Sequence, residues 1–159
     1  MHRFLLVGLS SFFGFTAGCS GQGSPSEEAQ SKPSVPAVPE GYETAVLGAG
    51  CFWCVEVFYE RLDGVSEAVS GYAGGSTPDP GYKEVSRGAT DHAEVVKVYY
   101  DPTVISYREL IDFFWTTHDA TRGDGVWPDF GPQYRSILLY QDDEERARIE
   151  ESRREYESE

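Results

Sequence analysis

Two thiols three positions apart, Cys51 and Cys54, stand in the stretch Gly50-Cys51-Phe52-Trp53-Cys54-Val55-Glu56, where an apolar run hands over to a helical period. A Cys-x-x-Cys pair at a helix start has three readings: a redox pair, half of a zinc site, or two buried apolar cysteines. Zinc would need two further ligands, and the only remaining thiol, Cys19, lies in the leader region. His92 and His118, the downstream imidazoles, show no ligand spacing, so redox chemistry leads and a pair of inert core thiols stays as the alternative. A cysteine in a helix's first turn meets free backbone N–H groups and the positive end of the dipole, both of which favour thiolate. Cys51 is therefore the candidate nucleophile.

A nucleophile needs a proton donor. Glu94 opens an alternating strand whose in-register residues Val96, Val98 and Tyr100 form the core-facing row. A carboxyl at the rim of an apolar face has a raised pKa and can serve as a general acid; the alternative is a solvated strand-end carboxylate. Tyr82 and Tyr134, each in a long loop, can donate O–H bonds to a substrate oxygen, or can be ordinary half-buried aromatics. Phe52 and Trp53 either wall an apolar pocket beside the sulfur or anchor the helix. Composition alone does not choose.

The elements that must position these groups follow from periodicity. A strand at 44–49 leads into a helix at 51–62, with Phe52, Val55, Tyr59 and Leu62 on one face and Asp63-Gly64 as its stop. A strand at 65–72 and a Gly- and Pro-containing loop running to about 91 come next, then the strand from Glu94, closed by Asp101-Pro102. Ser106-Tyr107-Arg108-Glu109 is a capping box, Ile105 can staple to Leu110, and Leu110, Phe113 and Phe114 give that helix a buried face. A second long loop at 118–134, a strand at 136–140 and a charged helix capped at Asp142 complete the order. This βαββαβα succession predicts an α/β (α+β) two-layer sandwich, a ferredoxin-like βαββαβ core with helices on one face of a mixed sheet.

The chain has 159 residues, enough for one core of ordinary size, and 14% aromatic residues to fill it. A net charge of -14 argues against nucleic acid and against a polybasic membrane surface; nine acids against four arginines after Tyr140 read as a solvated helix face. His2 and Arg3 precede an apolar run at 4–15, then Thr16-Ala17-Gly18-Cys19, which reads as a signal-peptide core (1–18) and resembles a bacterial lipobox with lipid attached at Cys19. Residues 19–41, rich in Ser, Gly, Gln, Glu and Pro, are expected to form a disordered tether to a domain at 42–159. The expectation is an exported protein, lipid-anchored on the periplasmic or extracellular side of a bacterial membrane and monomeric, where two such close thiols tend to oxidise together.

Gly50-Cys51-Phe52-Trp53-Cys54-Val55-Glu56, Gly71-Tyr72-Ala73-Gly74-Gly75, Tyr82-Lys83-Glu84-Val85, His92-Ala93-Glu94, Tyr99-Tyr100-Asp101-Pro102, His118-Asp119 and Asp129-Phe130-Gly131-Pro132-Gln133-Tyr134-Arg135-Ser136 together resemble the A-type peptide methionine sulfoxide reductases, in order and spacing, from about 42 to 140. The resemblance implies that Cys51 attacks the sulfoxide sulfur, Glu94 protonates the oxygen, and Tyr82 and Tyr134 hydrogen-bond to it. It further implies that Phe52 and Trp53 enclose the substrate methyl and select the S epimer, with Asp129 helping to position the substrate. Cys54 would resolve the Cys51 sulfenic acid as a disulfide, reduced by thioredoxin or another dithiol, with no bound cofactor. Substrates would be methionine sulfoxide in proteins or free.

Two departures accompany this. Residues 122–128 lack the Gln/Asn-rich pattern of the family, and the chain stops before the strand and aromatic, His-containing segment expected beyond 140, so the domain is expected to be C-terminally shortened with an exposed sheet edge. Two alternatives to a reductase follow: a thioredoxin-like thiol-disulfide oxidoreductase, for which Thr77-Pro78 comes too soon after the helix, and an inactive truncated remnant acting as a binding module.

Overall fold

The computed structural model describes residues 35–158 except Asp124, together with the two-residue strand Leu5–Leu6. Apart from that strand, the expected signal peptide, Cys19 and the tether up to residue 34 lie outside the described residues. The tether's described end is held against the domain: Tyr99 donates its O–H to the Pro36 carbonyl at 2.9 Å.

The elements are β1 (Leu5–Leu6), β2 (Glu43–Gly48), α1 (Phe52–Tyr59), β3 (Val65–Ala73), α2 (Tyr82–Ser86), β4 (Ala93–Tyr100), α3 (Tyr107–Thr117), β5 (Gly125–Val126), β6 (Asp129–Phe130), a 3-10 turn at Pro132–Tyr134, β7 (Ile137–Leu139) and α4 (Asp143–Tyr156). The main sheet runs β1-β3-β4-β2-β7, and β5 and β6 form a separate hairpin. Its central order, β3-β4-β2-β7, is that of a ferredoxin-like core. The expected mixed sheet is corrected: every described pairing is antiparallel. The β2-α1-β3 unit joins two parallel strands, but β4 inserts between them, so neither strand pairs with a parallel neighbour.

Alternation explains the two faces of this sheet. Ala45 and Leu47 of β2, Ala68 and Tyr72 of β3, and Val96, Val98 and Tyr100 of β4 point to one side, where they meet Phe52, Val55 and Tyr59 of α1 and Tyr107, Leu110, Ile111 and Phe114 of α3. Val46, Ala73, Ala93, Val95, Ile137 and Leu139 cluster on the other side. Capping fixes where α3 starts: Ser106 Oγ accepts the Glu109 N–H, and the Glu109 carboxylate accepts the Ser106 N–H at 2.8 Å. At α4, Asp142 caps the Glu145 N–H at 2.8 Å, while Glu145 reaches one residue further back, to the Gln141 N–H at 2.7 Å. That charged helix touches the core through Ile149 and docks on α3 through Trp115 Nε1–H to Ser152 Oγ (2.8 Å) and a Trp115–Tyr156 stack.

Two segments differ from the sequence reading. The loop from Gly71 is shorter than expected, because β3 continues to Ala73 and α2 forms within it, its first free N–H, that of Gly81, captured by Glu84 at 2.9 Å. α1 begins at Phe52 rather than Cys51 and ends at Tyr59.

Leu110 is fully buried between α3 and the sheet. Leu110→Ala should destabilise the fold by about 2–5 kcal/mol, the usual cost of emptying a packed leucine site. In urea unfolding followed by circular dichroism the midpoint should drop with an unchanged slope; an unchanged midpoint would remove Leu110 from the core.

Candidate active site

The strand-to-helix junction brings the candidate groups together. Gly50 turns the chain at a φ of +93°, a conformation glycine adopts without steric cost. Gly48 lets β2 run close to β4, since a Cβ there would lie 2.4 Å from the Glu94 carbonyl oxygen. Cys51 follows as the N-cap of α1, in extended conformation, its carbonyl accepting the Cys54 and Val55 N–H groups at 3.0 and 3.3 Å.

Glu94 is 2% exposed, and its carboxyl accepts the Phe52 N–H at 3.1 Å. The first free N–H of α1 is therefore spent on the acid and not on the sulfur. Burial raises the Glu94 pKa from 4.5 to about 7, the Phe52 N–H partly offsets this, and Asp129 pushes it further up. The elevation read from the strand's apolar face is present.

The expectation for Cys51 is corrected. Burial raises its thiol above the ordinary value and outweighs the Trp53 and Cys54 N–H groups, which act in the opposite direction; the Glu94 and Cys54 charges add to the rise. A position just outside an eight-residue helix, beside an acid and half out of water, does not give a resting thiolate. Cys54 is exposed, and both thiols are free.

Around this pair stand the remaining candidates. Tyr82, the first residue of α2, is 41% exposed and stacks on Trp53 with ring centroids 6.1 Å apart, so the two form an open aromatic wall. Phe52 is buried in the core and packs its ring on both Trp53 and Tyr72. Tyr134, at the end of the 3-10 turn, has its hydroxyl pushed up by burial and by Glu94, Asp129, Tyr82 and Cys51, which places all of these within electrostatic reach of it. Asp129 arrives on β6, half-buried. Cys51, Glu94, Tyr82, Tyr134, Trp53 and Asp129 thus share one locality; Cys19 lies outside the described residues.

Two residues escaped the sequence reading. Gln133, 5% exposed, donates from Nε2 to the Ser86 carbonyl at 3.1 Å and so ties the turn carrying Tyr134 to the helix carrying Tyr82. Tyr72 is fully buried on β3 directly across from Glu94, a pairing no single segment reveals. The histidines are occupied by hydrogen bonds, His92 Nε2 with the Thr77 carbonyl at 2.8 Å and His118 Nε2 with Ser136 Oγ at 3.0 Å. Among the described residues no group of three or more His, Cys, Asp or Glu is placed to hold a metal ion. A half-buried thiol, a proton-holding carboxyl and phenolic donors beside an aromatic wall can attack an electrophilic centre that carries a polar oxygen.

Comparison with known proteins agrees with this chemistry. The family described as peptide methionine sulfoxide reductase matches residues 43–159. A peptide methionine sulfoxide reductase MsrA of Natronomonas pharaonis is 56% identical over 107 residues, covering 67% of this chain and 60% of that protein. The chain spans about three-fifths of the length of this and similar relatives. Among solved structures, reduced Mxr1 from Saccharomyces cerevisiae superposes with a TM-score of 0.70 at 38% identity, covering 76% of this chain and 71% of that one. Mxr1 in complex with Trx2 superposes at 0.57 and 29% identity, covering 79% and 73%. On the match over 43–159 and these identities, the chain belongs to the peptide methionine sulfoxide reductase family.

Proposed function

We propose that this chain reduces the S epimer of methionine sulfoxide, in proteins and free, and so acts as a peptide-methionine (S)-S-oxide reductase. The observation that carries the reading is the buried, proton-holding Glu94 fastened to the residue next to Cys51 by the Phe52 N–H. Cys51 sulfur attacks the sulfoxide sulfur as Glu94 gives its proton to the sulfoxide oxygen, and Tyr82 and Tyr134 hydrogen-bond to that oxygen. The sulfur–sulfur bond formed by the attack and the sulfur–oxygen bond of the substrate then both break as the hydroxyl passes to the Cys51 sulfur, so methionine leaves as the thioether and Cys51 is left as a sulfenic acid. Phe52 and Trp53 receive the substrate methyl, and Asp129 helps orient the substrate.

Cys54 then attacks the Cys51 sulfur, forming a disulfide and releasing water; a thioredoxin-type dithiol reduces it. The yeast relative solved with Trx2 supports that recycling partner. Export, lipid attachment at Cys19 and a monomeric state complete the proposal on sequence grounds. The thioredoxin-like alternative is not favoured, since the family is that of the reductases.

Incubating the full chain with dithiothreitol and peptides carrying each sulfoxide epimer tests the activity. The S epimer alone should turn over; folded protein that leaves it untouched refutes the reductase reading and favours a binding remnant.

Cys54→Ser should release one methionine per chain in a single turnover and then stop in the presence of thioredoxin. Continued thioredoxin-dependent cycling would remove Cys54 from the resolving role.

The pH profile has a defined sign. Below about 7 both Glu94 and Cys51 hold protons and no thiolate is available, whereas above the raised Cys51 value both protons are lost and no acid remains. The productive form carries one proton between the two groups, so kcat/KM should rise through about 7 and fall again at the Cys51 ionisation. Glu94→Gln should lower kcat/KM by roughly 10²-fold or more and abolish the limb near 7. A limb that persists in the variant would assign it to another group.

A further inference from the structure

One buried hydroxyl at the site has no partner. Tyr72 is fully buried, its O–H finds no hydrogen-bond acceptor among the described residues, and its ring packs on Phe52 with centroids 5.7 Å apart. Buried polar groups of folded proteins are nearly always paired, so an orphan of this kind calls for a state in which it is paired.

The sheet register says which group that is. Tyr72 on β3 and Glu94 on β4 are directly opposed, so their side chains leave the same face at neighbouring positions. The groups around Glu94 come from every element packed there: Cys51 ahead of α1, Tyr72 from β3, Tyr82 from α2, Asp129 from β6 and Tyr134 from the 3-10 turn. Of these, the tyrosine hydroxyls are the resting O–H donors to a carboxylate, and Tyr82 and Tyr134 are assigned to the substrate oxygen. The Phe52 N–H supplies Glu94 with one donor. A carboxylate produced by proton transfer in a buried site needs more than one, because a buried charge is tolerated only when hydrogen-bonded.

We propose that Tyr72 is a positioning residue for Glu94, its hydroxyl turning to hydrogen-bond the carboxylate that remains once the proton has gone to the sulfoxide oxygen. This rests on the reductase reading and adds to it a group that acts through Glu94 without touching the substrate. At rest the hydroxyl has no partner among the described residues, and with Glu94 ionised it is the second donor beside the Phe52 N–H. Burial and the Glu94 charge both raise the Tyr72 hydroxyl's own ionisation, so it remains a donor throughout the working pH range.

The test is Tyr72→Phe in the full chain, with Glu94 followed by ¹³C-carboxyl NMR and its resonance identified by its loss in Glu94→Gln. Removing a donor from the charged form should raise the Glu94 titration midpoint by about half a pH unit or more. The rising limb of kcat/KM should move up by the same amount, while the melting temperature stays level or increases because the deleted hydroxyl had no partner at rest. Superimposed Glu94 titrations in folded wild type and variant would overturn the proposal. So would a variant that fails to fold, or one that melts earlier with its titration unmoved, since either assigns the hydroxyl to structure. A shifted titration in a protein that turns over no sulfoxide would instead retain the Tyr72–Glu94 link and reject the reductase reading.

Discussion

The hydrogen bond from the Phe52 N–H to Glu94 is the constraint on which the site depends. It joins the first turn of α1 to the start of β4, 42 residues apart in sequence, and it fixes the Glu94 carboxyl beside the residue that follows Cys51, the candidate nucleophile. Its length requires β2 and β4 to run close together and the chain to turn sharply after β2, which is what Gly48 and Gly50 allow. The antiparallel register of β2 with β4, from Glu43 opposite Tyr100 to Leu47 opposite Val96, then places the end of β2 over the start of β4. A slip of one residue would turn Glu94 to the opposite face of the sheet and put Val95 in its place.

Burial is what gives this bond its chemical meaning. Glu94 holds its proton to about 7 instead of 4.5, which corresponds to about 3 kcal/mol of preference for the neutral form. The sign of the linkage follows: a carboxyl raised in the folded state favours the fold fully below 4.5 and loses that contribution as pH rises through about 7. Near neutrality the protein therefore keeps an acid that the fold does not prefer to ionise, at some cost to its own stability. Cys51 is raised for the same reason, by burial first, and the Glu94 charge adds to that rise.

Local rules were legible where local chemistry decides. The capping box at Ser106, the cap at Asp142, the apolar face of α1 and the core-facing row from Glu94 to Tyr100 are each contained in a few consecutive residues, and each stands in the structure. The raised pKa of Glu94 is legible for the same reason, since its strand neighbours announce an apolar face. What the sequence concealed was set by neighbours distant along the chain. The sheet's direction depends on β4 inserting between β2 and β3, the state of Cys51 on how deeply the junction is buried, and the opposition of Tyr72 and Glu94 on strand register.

Loops that carry two of the phenolic donors raise a separate physical problem, because loop backbone is held by few contacts unless side chains fasten it. Here the fastening is polar and lies mostly at the surface. Asp91 accepts hydrogen bonds from the backbone and hydroxyls of Ser76 and Thr77 at 2.6–3.3 Å, and those bonds hold its carboxylate well below the usual range. Arg135 donates to the Asp91 carbonyl at 3.1 Å and to the Pro132 carbonyl at 2.7 Å, so the segment after Tyr134 is tied to the segment before Glu94. Gln133 adds the third tie, to the end of α2. Tyr82, Glu94 and Tyr134 thus sit on three segments bound to one another through backbone carbonyls, and those bonds do not depend on the substrate or on the protonation of the site. The donors can then be in place before the oxygen arrives, which is the condition under which fixed dipoles lower a barrier without reorganisation.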